Sequence, residues 1–130
     1  MYTAVTRSIE VSVTPLYLEE ESDPNLPRYL WAYTVEITNL GDSPVQLLNR
    51  YWHITDGLGR IEEVRGAGVI GEQPVIDPGS TYEYTSGCPL PTPSGIMVGA
   101  YEMESPDGQR FLVDVPAFSL DLPDTPRTVN

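Results

Sequence analysis

The chain has no lysine, a single cysteine, a single histidine and no apolar run long enough to span a bilayer. Each absence removes a class of chemistry. Without lysine there is no Schiff-base catalysis, and the usual point-charge partner of a nucleotide phosphate is missing. His53 stands alone, so a multi-histidine metal site cannot be assembled within one chain. Cys88, also alone, excludes an internal disulfide and suits a reducing compartment. No stretch approaches the roughly 20 apolar residues of a membrane helix, and no basic-then-apolar leader opens the chain. A cytoplasmic residence with no membrane partner is therefore expected. Positive charge is scarce as well: seven arginines face nineteen acids, for a net charge of −12. Such a surface repels phosphate backbones, which argues against nucleic-acid binding.

What is present points to strands. The 130 residues suit one domain with its own core, expected to span 1–130, and thirteen prolines and eleven glycines lie between short apolar runs. Ile9, Val11 and Val13 alternate with polar residues, as do Trp31, Tyr33, Val35 and Ile37. Asn39-Leu40-Gly41-Asp42 and Asp56-Gly57-Leu58-Gly59 supply turn chemistry. Between them a third strand runs from about Val45 to Ile54. One face would hold Leu48, Trp52 and Ile54, interrupted by Arg50, and the other Leu47, Tyr51 and His53; the bulk of Trp52 and Ile54 favours the first set inward.

Arg60 to Arg65 reads as a short charged strand, and Thr81 to Thr85 as another, with Tyr82 and Tyr84 on one side. Gly87 through Gly95 reads as a loop. Met97, Gly99, Tyr101 and Met103 mark a sixth strand, and Phe111, Val113 and Val115 a seventh that Pro116 places at an edge or a bulge. Glu19-Glu20-Glu21 belongs to an exposed acidic loop, and 121–130 to a frayed tail. About seven strands and no helix predict an all-β immunoglobulin/fibronectin type III-like sandwich.

Gly66, Gly68 and Gly71 form the order G-A-G-V-I-G, a nucleotide-binding spacing. Pro74 and Pro78 follow too soon for the helix whose N-terminus would hold a phosphate. Two readings remain: the glycines permit unusual backbone angles in an inter-strand loop, or they form a nest of amides for pyrophosphate or a nucleotide, with Arg60 or Arg65 adding charge.

Several motifs in one order resemble the ApaG family, also called the DUF525 domain. They are Asn49-Arg50-Tyr51-Trp52-His53-Ile54-Thr55-Asp56, the glycine triplet, Pro74-Val75-Ile76, Tyr82 through Cys88, Gly99 through Met103, and Phe111 through Phe118. The resemblance implies an immunoglobulin- or fibronectin-type sandwich with the glycine motif between strands. It also implies a genetic link to cobalt and magnesium resistance and, from related domains in an F-box ubiquitin-ligase subunit and a polymerase-interacting protein, a partner-binding role. The family's naming company suggests diadenosine-polyphosphate hydrolysis, but the chain offers no general base and metal ligands for it.

The expected function is that of a non-catalytic protein-interaction module without a cofactor or metal. Tyr51 and His53 are the candidate contact residues, should His53 point outward rather than serve as an ordinary half-buried strand histidine. The alternative is a pyrophosphate or nucleotide binder through Gly66, Gly68, Gly71 and Arg65. Both a monomer and an edge-paired homodimer are compatible with the sequence. Cys88 lacks any nucleophile context, and Pro89 beside it suggests a strand-end turn.

Overall fold

The computed structural model describes residues 1–123. Among them run nine strands: β1 (Tyr2–Thr6), β2 (Ile9–Tyr17), β3 (Tyr29–Asn39), β4 (Val45–Asp56), β5 (Ile61–Ala67), β6 (Val75–Ile76), β7 (Thr81–Leu90), β8 (Gly95–Glu104) and β9 (Arg110–Leu120). They form two antiparallel sheets, β1-β2-β3-β7 and β5-β4-β8-β9, with β6 added to the end of β4. The expected sandwich is present. No helix among the described residues is long and apolar enough to cross a membrane.

The inner faces follow the alternation of the sequence. Ile9, Val11 and Val13 of β2 are buried, as are Trp31, Tyr33, Val35 and Ile37 of β3. Opposite them lie Trp52, Met97, Tyr101, Val113, Val115 and Phe118. Aromatic rings tie the two layers together: Tyr33 of the first sheet meets Trp52 of the second at 5.5 Å between centroids, edge to face, and Phe118 at 5.9 Å, tilted. The Trp31 indole N–H donates to the Asp121 carbonyl at 2.7 Å, and Leu122 packs against the core. Residues 124–130 of the expected frayed tail lie outside the described residues.

Four local departures from the sequence reading have physical causes. β1 was not expected, because its hairpin turn is made by Arg7 and Ser8, at φ +50° and +66°, rather than by the asparagine or glycine that normally signals such a turn. β6 is only two residues long. On β4, Leu47 is buried with Trp52 and Ile54 instead of sharing a face with Tyr51, because a bulge between Leu47 and Asn49 shifts the register and flips the side-chain phase. On β7, Gly87-Cys88-Pro89 is strand and not loop, pairing with Leu30 through Ala32. β7 is an edge strand, where a proline's missing N–H costs no ladder bond. Pro116 behaves as expected: β9 is an edge, and the β8–β9 register shifts between Met97 and Gly99, opposite Pro116 and Ala117.

The two long sides of the sandwich differ. β9 lies against β1 and β2, and the Asp114 amide reaches Thr6 Oγ1 at 3.2 Å. On the other side β5 and β7 stand apart and leave a cleft.

Candidate functional site

Three strands of the second sheet present the candidate contact residues. The register aligns Arg65, Tyr51 and Ala100 in one row, with Glu63, His53 and Val98 in the next. Tyr51 and His53 are on the phase opposite to buried Trp52 and Ile54 and so face away from the core, each half-buried by its neighbours. Arg65 lays its guanidinium 5.3 Å from the centre of the Tyr51 ring and 4.0 Å from Glu63. A shallow depression of ≈ 180 Å³ opens between these side chains. Val98 and Ile96 add exposed apolar surface along β8, and Ile61 does so on β5. Gly99, paired with Trp52, lets β8 pass close to β4 beneath this face: a Cβ there would meet the Tyr51 carbonyl at 2.2 Å and the buried Trp52 ring at 2.8 Å.

The outer face of the first sheet has a different character. Thr34–Thr85 and Thr38–Thr81 bond hydroxyl to hydroxyl at 2.9 and 2.8 Å, and Thr3–Ser12 at 3.1 Å. These cross-strand hydroxyl pairs satisfy one another, and exposed Val5 and Leu16 are set apart from them on β1 and β2.

The Arg65 guanidinium lies over the Tyr51 ring on the outer face and makes no hydrogen bond to the glycine loop among the described residues. Arg60 is bound to Asp56 at 2.8 Å in the β4–β5 turn. Burial opposes ionisation of the Asp56 carboxyl, but the amides of Arg60 and Leu58 and the Arg60 guanidinium outweigh it and hold the group below the usual carboxylate range. The arginine at the glycine loop is Arg50, which donates from Nη1 to the carbonyls of Ala67 and Gly68, both at 3.0 Å. Gly66 pairs with it across the ladder, and a Cβ on Gly66 would lie within 3.0 Å of the guanidinium.

The loop is held largely by its own backbone. The Gly68 amide donates to Leu48, Val69 bonds both ways with Glu72, and Val69 is buried. Ile70 and Gly71, at φ +42° and +82°, occupy the middle of that turn, the pattern of type I′. Gly68 is at φ +65°, and a Cβ on it would stand 2.1 Å from the Glu72 carbonyl oxygen.

Cys88 points inward on β7. Burial, and then the charge of Glu62, push its thiol up to about 11, so it stays protonated near neutrality. His53 lies on the far face of the opposite sheet, and no Cys–His pair forms. Among the described residues, no three of His, Cys, Asp and Glu converge on a point that could hold a metal ion.

Two antiparallel sheets packed face to face define an immunoglobulin/fibronectin type III-like β-sandwich. The ApaG domain model, DUF525, matches residues 19–105. The chain belongs to the ApaG family. It is 64% identical over 130 residues to Protein ApaG of Mesorhizobium japonicum and 58% identical to that of Brucella suis, covering all of both chains in each case. Among solved structures, the crystal structure of an ApaA protein from Bordetella pertussis matches with a TM-score of 0.87 at 51% identity, covering 95% of this chain and 98% of that one.

Sequence reasoning missed Arg50 as a site residue. The signal was available: a charged residue on the inward phase of a strand otherwise filled by Trp52 and Ile54.

Proposed function

We propose that the protein is a non-catalytic binding module that engages a protein partner through the outer face of its second sheet, centred on Tyr51 and His53. One observation carries this reading: Tyr51 and His53 stand among exposed Ile61, Ile96 and Val98 on three adjacent strands, β4, β5 and β8, whereas on the first sheet β3 and β7 present paired threonines and the exposed apolar residues, Val5 and Leu16, are separate on β1 and β2. Tyr51, stiffened by Arg65, has the build of an anchor, and the depression beside Val98 would receive one apolar side chain of the partner. Under this reading the family's link to cobalt and magnesium resistance passes through the partner, in the cytoplasm, rather than through a metal held by this chain. The alternative, pyrophosphate or nucleotide at Gly66–Gly71, draws less support, because the amides of Gly68 and Val69 already have acceptors.

The test is comparative. Val98→Asp and Tyr51→Ala should abolish binding of a purified partner first recovered with the wild-type chain, while Thr34→Asp on the opposite sheet should not. Equal binding by all three folded variants would retire the proposal. Light scattering of the wild type would tell whether the partner is a second copy.

A further inference from the structure

The open side of the sandwich holds a second feature, separate from the outer face. Between the edges of β5 and β7 lies a cleft of ≈ 240 Å³ whose walls include Trp52, Val64 and Met97, with Tyr33, Ser86 and Cys88 on the side of the first sheet. Arg50 reaches into it. Arg60, Arg65 and Arg110 each have a carboxylate within 4.0 Å, whereas Arg7, Arg28 and Arg50 have none among the described residues; of these three, Arg7 and Arg28 are exposed to water and only Arg50 is half-buried at a cleft. Its Nη1 is committed to two carbonyls, and its Nε and Nη2 donors bond to no described residue. A guanidinium has five N–H donors in a planar fork suited to a carboxylate.

We propose that this cleft binds the carboxylate of a small apolar monoanion, with Arg50 receiving the charge and the walls around Trp52 and Val64 covering the hydrocarbon. Three considerations fix that chemistry. The volume is below the roughly 300–1,000 Å³ of sites for drug-sized molecules, so the occupant is a small acid or one terminal residue of a chain. The lining divides about evenly between apolar surface and polar surface around one cation, with the Tyr33 and Ser86 hydroxyls as further polar groups, which suits an amphiphilic occupant. Glu62 stands at the same cleft and opposes a polyphosphate more strongly than a singly charged group. The ligand comes either free or as the C-terminus of a peptide, and the two sources share this chemistry.

The probes are 4-methylpentanoate and a leucine-ended tripeptide, each beside its uncharged amide, with pyrophosphate as a third anion, all at constant ionic strength. Backbone amide shifts of the whole chain and the alkylation rate of Cys88 are followed. The expected result is saturable shifts at Gly66 and Ser86 through Cys88, with slower Cys88 alkylation, for one or both carboxylates and neither amide. The tighter of the two names the source. Arg50→Gln should weaken binding by about tenfold to a hundredfold, the usual range for losing a charged hydrogen-bond partner, and Val64→Phe should block the cleft outright.

Equal shifts from the amides, or equal affinity for pyrophosphate, would overturn the proposal, as would absence of saturation at millimolar ligand. If Arg50→Gln does not fold, the amide controls and Val64→Phe decide alone: unweakened binding by folded Val64→Phe refutes the site.

Discussion

Tyr84 of β7 and Tyr101 of β8 belong to different sheets, and their hydroxyls bond to each other inside the core. Tyr101 is fully buried and Tyr84 nearly so. Tyr84→Phe therefore leaves the Tyr101 hydroxyl without a protein partner in a place water does not reach, and Tyr101→Phe does the same to Tyr84. Each single change should cost about 1–3 kcal/mol, the penalty for stranding a buried polar group. The double change removes both hydroxyls and strands neither, so it should cost no more than about 1 kcal/mol. The two single costs then sum to more than the double, a coupling of about 1 kcal/mol or more. Urea unfolding at pH 7 with a common m-value measures all four corners of the cycle. In heating, a chain of this size should lose roughly 3–5 °C per kcal/mol. Additive costs within about 0.5 kcal/mol would refute the reasoning, because they would mean that each phenol finds another partner once its neighbour is removed.

Three further outcomes follow from the same structure. Gly68→Ala should destabilise the fold by about 2 kcal/mol or more in urea, since the new methyl meets the Glu72 carbonyl and the residue is at positive φ; a cost under about 0.5 kcal/mol would mean that the loop reshapes freely. Ile70→Asn should stabilise by about 1 kcal/mol, because an exposed β-branched residue at φ +42° gives way to one that tolerates it beside Gly71; a loss of stability would show that the Ile70 side chain is needed where it is. Alkaline pH should weaken the fold: burial raises the phenols of Tyr33, Tyr84 and Tyr101 above their ordinary value near 10 and the Cys88 thiol from near 9 to about 11. The unfolded chain sheds these protons first, so their contribution is complete below the ordinary values and is lost as pH climbs toward the folded ones, by up to about 1.4 kcal/mol per pH unit for each group. A urea midpoint constant from pH 8 to 11 would contradict this.

Much of the fold was legible because inward positions repeat with period two. Ile9-Val11-Val13 and Trp31-Tyr33-Val35-Ile37 named the core of the first sheet, and Met97-Tyr101-Met103 that of the second. What escaped was everything that depends on backbone angles the side chains do not announce. Arg7-Ser8 makes a tight turn with two residues that do not favour it, hiding β1. The bulge after Leu47 swaps faces without a glycine or proline to mark it. Gly87 and Pro89 look like loop residues until β7 is known to be an edge.

The candidate site divides in the same way. Tyr51 and His53 were placed outward by their phase opposite Trp52, which periodicity can give. Arg65 stacking on Tyr51, and Arg50 beneath the glycine loop, depend on pairing between β4 and β5, which one strand's pattern cannot supply.

The unequal long sides of the sandwich bear on how it comes undone. Where β9 lies against β1 and β2, the layers are joined by packing and by the Asp114–Thr6 bond, as at the spine of a book. Between β5 and β7 there is a gap instead of a spine. Partial opening should begin along that fore-edge, so the β5 and β7 amides should exchange with deuterium before those of β2 and β8. Anything that fills the gap would act as a clasp, slowing exchange at the place where the two covers first part.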